Sequence, residues 1–166
     1  STPAPCRIKI KEALKVIMTK DESALIQFID DFRVHFKKLQ PEEIAYPRSC
    51  NNLKKYTSSK DIYQKSCPIH VRGALLYNHQ LKKRKLVKYE AVNEGDKIKF
   101  ITLKEPNPLH ENVISFISTL PKEFDLHKYI DYDEQFNKSF LEPLKFILNA
   151  INWNFEKKAS LEEFFG

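Results

Sequence analysis

Residues 49–79 read SCNNLKKYTSSKDIYQKSCPIHVRGALLYNH, and the rest of the chain is organised around this stretch. It surrounds a single predicted helix start with asparagines, lysines, tyrosines, histidines and an arginine. Pro68 suits the first position of that helix, because its missing N–H would be unpaired there in any case. The helix start would direct backbone N–H groups and a positive dipole end toward the basic residues before it, which favours an anion. Polar side chains of these types hold a phosphate backbone without reading its bases.

The excess positive charge of the chain is concentrated around the same stretch. Residues 44–88 contain eleven Lys or Arg and one acid, Asp61, whereas residues 89–166 contain nine bases and fourteen acids. The formal net charge of the whole chain is +6. An asymmetry of this kind predicts a polyanionic partner.

Composition restricts the class of protein. A length of 166 residues with 42% hydrophobic residues predicts one folded domain with a real core. Three widely spaced cysteines indicate reduced thiols rather than a disulfide framework. Three scattered glycines are too few for the loops that cradle nucleotide phosphates. No apolar run approaches the roughly 20 residues that cross a bilayer, and the first residues lack an apolar signal core, so we expect a soluble intracellular protein.

Two amphipathic helices are predicted before the basic stretch. The first presents one apolar face, formed by Ile10, Ala13, Leu14, Ile17 and Met18. Asp21 is a predicted N-cap for the second, and Pro41 is expected to end it. The apolar face of the second helix consists of Leu25, Phe28, Ile29, Phe32, Phe36 and Leu39. Packing of these two faces in a core is the simplest interpretation.

The remainder predicts a loop, a small sheet and a last helix. Residues 43–66 have no periodicity and are expected to form a long basic loop. Residues 97–103 and 113–117 predict two strands of an antiparallel sheet, after a turn at residues 93–96. A helix is expected from Asp125 onward, kinked or divided at Pro143, with an apolar face of Phe136, Phe140, Leu144, Ile147, Leu148 and Ile151. The predicted fold class is α+β, mainly helical.

Other chemistries have weaker signals. The spacing of Cys67 and His70 resembles that of metal ligands, but the gaps to Cys50 and His79 match no common zinc finger. Asp131 and Asp133 resemble a magnesium-binding pair of a nuclease or transferase, although capping of a helix start explains them better. We therefore assign no metal ligand and no catalytic residue. The run at residues 82–85, KKRK, is typical of a solvated surface turn, but a phosphate contact is also open.

Several motifs resemble those of one family. They occur in the family's order: STP with EALK near the start, NNLKKY at 51–56, CPIHVRGALLYN at 67–78, EGDK at 94–97, PNP at 106–108, DY at 131–132, FLEPL at 140–144 and the ending EKKASLEEFF. Over essentially its whole length the chain resembles the C-terminal thumb domain of family B replicative DNA polymerases from T-even-type bacteriophages.

The resemblance implies a role in DNA replication without catalysis by this chain alone. In that family the active-site carboxylates, and the Mg²⁺ they hold, lie upstream in the palm, and no palm-type YGDTDS motif occurs here. No cofactor is expected in this chain, and it would act with the palm, fingers and exonuclease part, in the cytoplasm of an infected bacterium. It would be either the small product of a split polymerase gene or a fragment of a longer chain.

The resemblance also implies the site residues. Residues 1–156 would form the thumb domain, which wraps primer–template duplex, and the blocks that face the duplex contain Asn51, Asn52, Lys54, Tyr56, Lys65, His70 and Arg72. Residues 157–166 would form a tail that binds a sliding clamp, with Leu161, Phe164 and Phe165 as the apolar plug and Lys158 where a glutamine often stands. An autonomous regulator that binds nucleic acid, DNA or RNA, is the alternative that the basic stretch leaves open.

Overall fold

The computed structural model describes residues 2–151, which form two compact units. The first unit comprises residues 40–131, and the second comprises residues 2–39 together with residues 132–151. Helices and one small antiparallel sheet make up the fold, so the predicted α+β class is confirmed. Within residues 2–151, none of the helices combines the length and the apolar character that a membrane crossing requires.

The second unit is helical and has an aromatic core. It contains α1 (Ala4–Thr19), α2 (Glu22–Phe36), α6 (Tyr132–Phe136), a π-helical turn (Asn137–Leu141) and α7 (Glu142–Ala150). Four buried phenylalanines meet with ring centroids 4.8 to 5.8 Å apart: Phe32, Phe36, Phe136 and Phe140. Edge-to-face pairs at such distances add stabilisation beyond the burial of apolar area. The apolar faces predicted for the second and the last helix therefore meet in a core, and Ala13 and Ile17 of the first predicted face are also buried.

The predicted faces are too wide at their ends. Met18 is 84% exposed and Ile151 is 52% exposed, so neither belongs to the core. At about 100° per residue, Met18 lies a quarter of a turn or more around the helix from buried Ala13 and Ile17. Spacing predicts which residues share a broad face, but the neighbouring element covers only part of it.

Of the two prolines that were expected to interrupt helices, Pro41 has a different role, whereas the helix around Pro143 is divided as predicted. The helix capped by Asp21, whose Oδ1 accepts the Ala24 N–H at 2.9 Å, ends at Phe36. Pro41 instead begins a short helix, α3 (Pro41–Ile44). Pro143 lies in the first turn of α7, directly after the π-helical turn, where the Glu142 N–H donates to the Asn137 carbonyl. The wider turn accommodates a residue that supplies no N–H of its own.

The first unit is built on a three-stranded antiparallel sheet. Its strands are β1 (Tyr46–Ser49), β2 (Lys97–Thr102) and β3 (Val113–Phe116), in the order β1-β2-β3. The pairing expected for β2 and β3 is confirmed. The expectation of an unstructured loop over 43–66 is wrong, since this stretch contains β1 and α4 (Leu53–Tyr56). Pro47 is compatible with β1 because an edge strand tolerates a missing N–H.

The helix predicted at Pro68 covers this sheet. It is α5 (Ile69–Lys83), it begins directly after Pro68, and it packs against β3. The helix expected from Asp125 begins only at Tyr132. Before it, residues 122–124 and 127–129 form 3-10 turns, and Ile130 bridges Leu103. Because the backbone at Ile130 pairs with the extended segment at Leu103, this part of the chain does not form the helix that its residue pattern predicts.

Candidate nucleic-acid interface

The positive charges of residues 44–88 are largely left without acidic partners. Among residues 2–151, Lys88 is the only cation of this stretch in an ion pair, with Glu123 at 2.9 Å. Hydrogen bonds from Lys88 and from Tyr89 lower the pKa of Glu123 to about 2. Arg84 is also engaged, because its Nη1 donates to the Glu123 carbonyl at 2.8 Å. These two cations hold the turn at 122–124, and most of the others remain available for an outside anion.

The asparagine-rich segment before α4 is anchored from a distant turn. Glu94 accepts the Asn52 and Leu53 backbone N–H groups at 2.7 and 2.8 Å. Asn52 has φ of 65°, a left-handed conformation that asparagine adopts more readily than most residues. The carboxylate of Glu94 thus caps α4, while the side chains of Asn51 and Asn52 are exposed. The turn at residues 93–96, which the sequence predicts, therefore fixes the position of the segment before α4 through Glu94.

Residues 53–66 continue as an ordered, polar surface. Lys54 is exposed, and the ammonium group of Lys55 lies 5.3 Å from the ring centroid of half-buried Tyr56. The Gln64 N–H donates to the Tyr56 carbonyl at 2.8 Å, and Gln64 Nε2 donates to the Lys55 carbonyl at 3.0 Å. These bonds fold the segment back on itself, so Lys65 is held at the surface close to the start of α5.

His70 lies beside β1, the edge strand of the sheet. We call the exposed residues of this part of the first unit the basic surface: Arg48, Asn51, Asn52, Lys54 and Lys97. The ring centroid of His70 is 6.2 Å from that of Phe100, and burial together with the positive charge of Arg48 lowers the pKa of His70. A concavity of about 370 Å³ opens at this edge, lined by Pro47, Arg48, Ser49 and Lys97. Sequence reasoning missed Arg48 and Lys97 as site residues. Only the pairing of β1 with β2, which places Ser49 opposite Lys97, brings these two cations to the same edge.

Arg72 is held by the protein itself. Its Nη2 donates to Asn112 Oδ1 at 2.8 Å, and its guanidinium carbon lies 5.7 Å from the centre of the Tyr63 ring. Within the described chain, its Nε is buried without a hydrogen-bond partner. The residues implied by the resemblance therefore divide in two groups. Asn51, Asn52, Lys54 and Lys65 are exposed, whereas Tyr56, His70 and Arg72 are half-buried and support the surface from within.

The geometry gives no support to the two metal-site alternatives. In the described part of the chain, no three His, Cys, Asp or Glu side chains come together as a metal site would require. Asp133 faces Lys37 at 3.5 Å, and the Asp131 N–H donates to the Thr102 carbonyl. Burial raises the pKa of Cys67, and it raises that of Cys50 to about 11, so both thiols are protonated at neutral pH.

The residues implied in clamp binding lie outside the described residues. Lys158, Leu161, Phe164 and Phe165 fall in the segment 152–166, which follows the last residue that the structure describes.

Two known proteins are similar to the whole of this chain. It is 29% identical over 170 residues to the DNA-directed DNA polymerase of Enterobacteria phage T4, and 32% identical over 170 residues to that of Escherichia phage RB69. The alignments cover 100% and 99% of this chain but 18% of each polymerase. No protein-family model matches. The resemblance to DNA polymerases of T-even-type phages is confirmed, and the chain spans less than a fifth of the length of these relatives.

Proposed function

We propose that this chain is the thumb part of a DNA-directed DNA polymerase, which grips primer–template duplex through its phosphate backbone during replication. The observation that carries the proposal is the similarity of the whole chain to one segment of two phage DNA polymerases. The basic surface of the first unit supports it independently, because Lys88 is the only Lys or Arg of residues 44–88 that forms an ion pair within residues 2–151.

Contacts of this type suit a polymerase. Lysine and arginine contacts to phosphates carry no base information, so the protein can hold duplex of any sequence and slide along it. The half-buried residues His70 and Arg72 would keep the surface rigid, which lowers the entropy lost when DNA binds. Both oxygens of Glu94 accept backbone N–H groups, so this carboxylate is fixed in position at the start of α4.

The segment 157–166 would tether the polymerase to a sliding clamp. Leu161, Phe164 and Phe165 are spaced i, i+3 and i+4, so a single helical turn would present all three on one side. A tether to a ring on DNA raises the local concentration of the enzyme without raising its intrinsic affinity. Catalysis and its Mg²⁺ would belong to the palm of the polymerase.

Binding of duplex by the full chain tests the proposal. We expect the affinity for primer–template DNA, measured by fluorescence anisotropy, to fall steeply with salt, with a slope of about −0.9 per phosphate contact. The variant Arg48→Ala/Lys54→Ala/Lys97→Ala should bind DNA more weakly. Its affinity should also depend less steeply on salt, because a protein that makes fewer phosphate contacts releases fewer counterions when it binds.

A matched control removes the same charge elsewhere. Lys11→Ala/Lys15→Ala/Lys20→Ala also loses three exposed cations, all on or next to α1 in the second unit, and should bind almost as wild type. Equal losses in both variants, or wild-type binding that does not depend on salt, contradict the proposal. A strong preference for one DNA or RNA sequence would favour the autonomous regulator instead.

A further inference from the structure

A concavity lies between the segment 57–65 and α5, in the same unit as the basic surface. Its volume is about 830 Å³. Lysines line it from both walls, Lys60 and Lys65 from the segment and Lys82 from α5, and His79 of α5 also lines it. We call this concavity the loop–helix groove. Only Lys65 of these four belongs to the residues that the resemblance implied.

Short-range bonds give the segment 57–65 a defined shape. Ser58 Oγ accepts the backbone N–H groups of Lys60 and Asp61 at 3.3 and 3.2 Å. Thr57 and Tyr63 form an isolated antiparallel bridge, which closes the base of the segment. The Tyr63 hydroxyl donates to Glu111, so the segment is also attached to the connection that leads into β3. The groove is therefore a built feature and not a gap beside a loose loop.

The charge of the groove is strongly one-sided. Within residues 2–151, Lys60, Lys65 and Lys82 form no ion pair with a carboxylate. Asp61 is the single acid among the lining residues, and it is also the single acid of residues 44–88. Like charges held close together repel, and an anion bound between them removes that cost. Ser58 and Ser59 contribute hydroxyl groups, which suit phosphate oxygens.

We propose that the loop–helix groove holds backbone phosphates of duplex DNA, through Lys60, Lys65, His79 and Lys82, as a second contact besides the surface around Arg48 and Lys54. This rests on the proposed function. Side chains of Ile62, Tyr63 and Leu75 also line the groove, and they offer apolar surface to the deoxyribose between two phosphates. The KKRK run is thereby divided, since Lys82 faces the groove while Arg84 holds the turn at 122–124.

The test compares two double variants of equal charge in the full chain. Lys60→Ala/Lys82→Ala removes two groove cations, whereas Lys83→Ala/Lys85→Ala removes two exposed cations from the same helix end that do not line the groove. Affinity for primer–template duplex is measured across a salt series. We expect the groove variant to bind on the order of 10- to 100-fold more weakly at 0.1 M salt, with a slope shallower by about 2, and the control to stay near wild type.

A third variant has the opposite expected sign. Asp61→Asn removes the acid of the groove and should strengthen binding several-fold, which loss of structure would not do. Circular dichroism spectra and thermal unfolding curves of each variant are compared with those of wild type to check that the variant is folded.

The outcomes separate the two proposals. If wild type binds duplex, Arg48→Ala/Lys54→Ala/Lys97→Ala weakens it, and the groove variant and its control do not differ, the groove proposal is wrong and the proposed function stands. If wild type binds no duplex at any salt concentration, both fail.

Discussion

At the scale of single residues, His70 shows how a positive charge of the basic surface affects the stability of the folded protein. Burial, and then the charge of Arg48, lower the pKa of His70 below its ordinary value of 6.5, while a hydrogen bond with the Ser49 backbone partly opposes this. The folded state therefore disfavours the protonated imidazole. Its contribution to stability is present above pH 6.5 and is lost as the pH falls below it, because the unfolded chain then binds a proton more readily.

We predict that His70→Gln makes stability less sensitive to acid. The free energy of unfolding, from urea titrations at pH 7 and pH 5, should fall less in the variant than in wild type. Arg48→Gln should act in the same direction, since removing the charge of Arg48 raises the pKa of His70. A variant at position 70 with the full wild-type pH dependence would contradict this assignment.

At the scale of elements, the contact between α5 and β3 depends on Gly73. A Cβ built on Gly73 would collide with Ser115 Oγ and would lie 2.8 Å from the Ser115 backbone nitrogen. Ser115 is fully buried, and its hydroxyl donates to the His70 carbonyl at 2.9 Å. The helix can approach the strand this closely only because the residue between them has no side chain.

Gly73→Ala should therefore destabilise the protein by about 1–3 kcal/mol or more, because α5 must move away from β3. The measurement is the shift in the urea midpoint at constant slope. Because a large part of the clash involves Ser115 Oγ, the double variant with Ser115→Ala should be less destabilised than the sum of the single variants. Strict additivity would show that the two residues do not collide.

At the scale of the whole molecule, DNA binding and clamp binding are predicted to use separate parts of the chain. The basic surface lies in the first unit, while the proposed clamp-binding residues belong to segment 157–166. Burying each large apolar side chain of the plug contributes roughly 1.5–3 kcal/mol, which corresponds to a factor of ten or more in affinity.

We expect a chain ending at Glu156 to lose clamp binding by at least about 100-fold in calorimetric titration with the sliding clamp of a T4-type phage. Duplex binding should be unchanged. Leu161→Ala/Phe164→Ala/Phe165→Ala should reproduce the loss, whereas Lys158→Gln, which restores the more usual residue, should bind at least as tightly as wild type. Unchanged affinity in the truncated chain would place the clamp site elsewhere.

Local sequence determined the elements whose signals lie within one turn or one strand of each other. The helical spacing of Phe32 and Phe36, the capping side chain of Asp21 and the proline before α5 each act on neighbouring residues. The concentration of positive charge in residues 44–88 is likewise a property of the sequence. These features were sufficient for the fold class and for the expectation of a polyanionic partner.

Only the tertiary structure decided which of these residues can reach a ligand. The strand Tyr46–Ser49 has no alternation of its own and exists because β2 pairs with it from about 50 residues away. Glu94 positions Asn52 across a similar separation, and Asn112 turns Arg72 inward. Such contacts form only after distant segments have packed together, so their energies leave no trace in the local sequence pattern. The composition determined that the protein is basic, and the packing decided where its free cations lie.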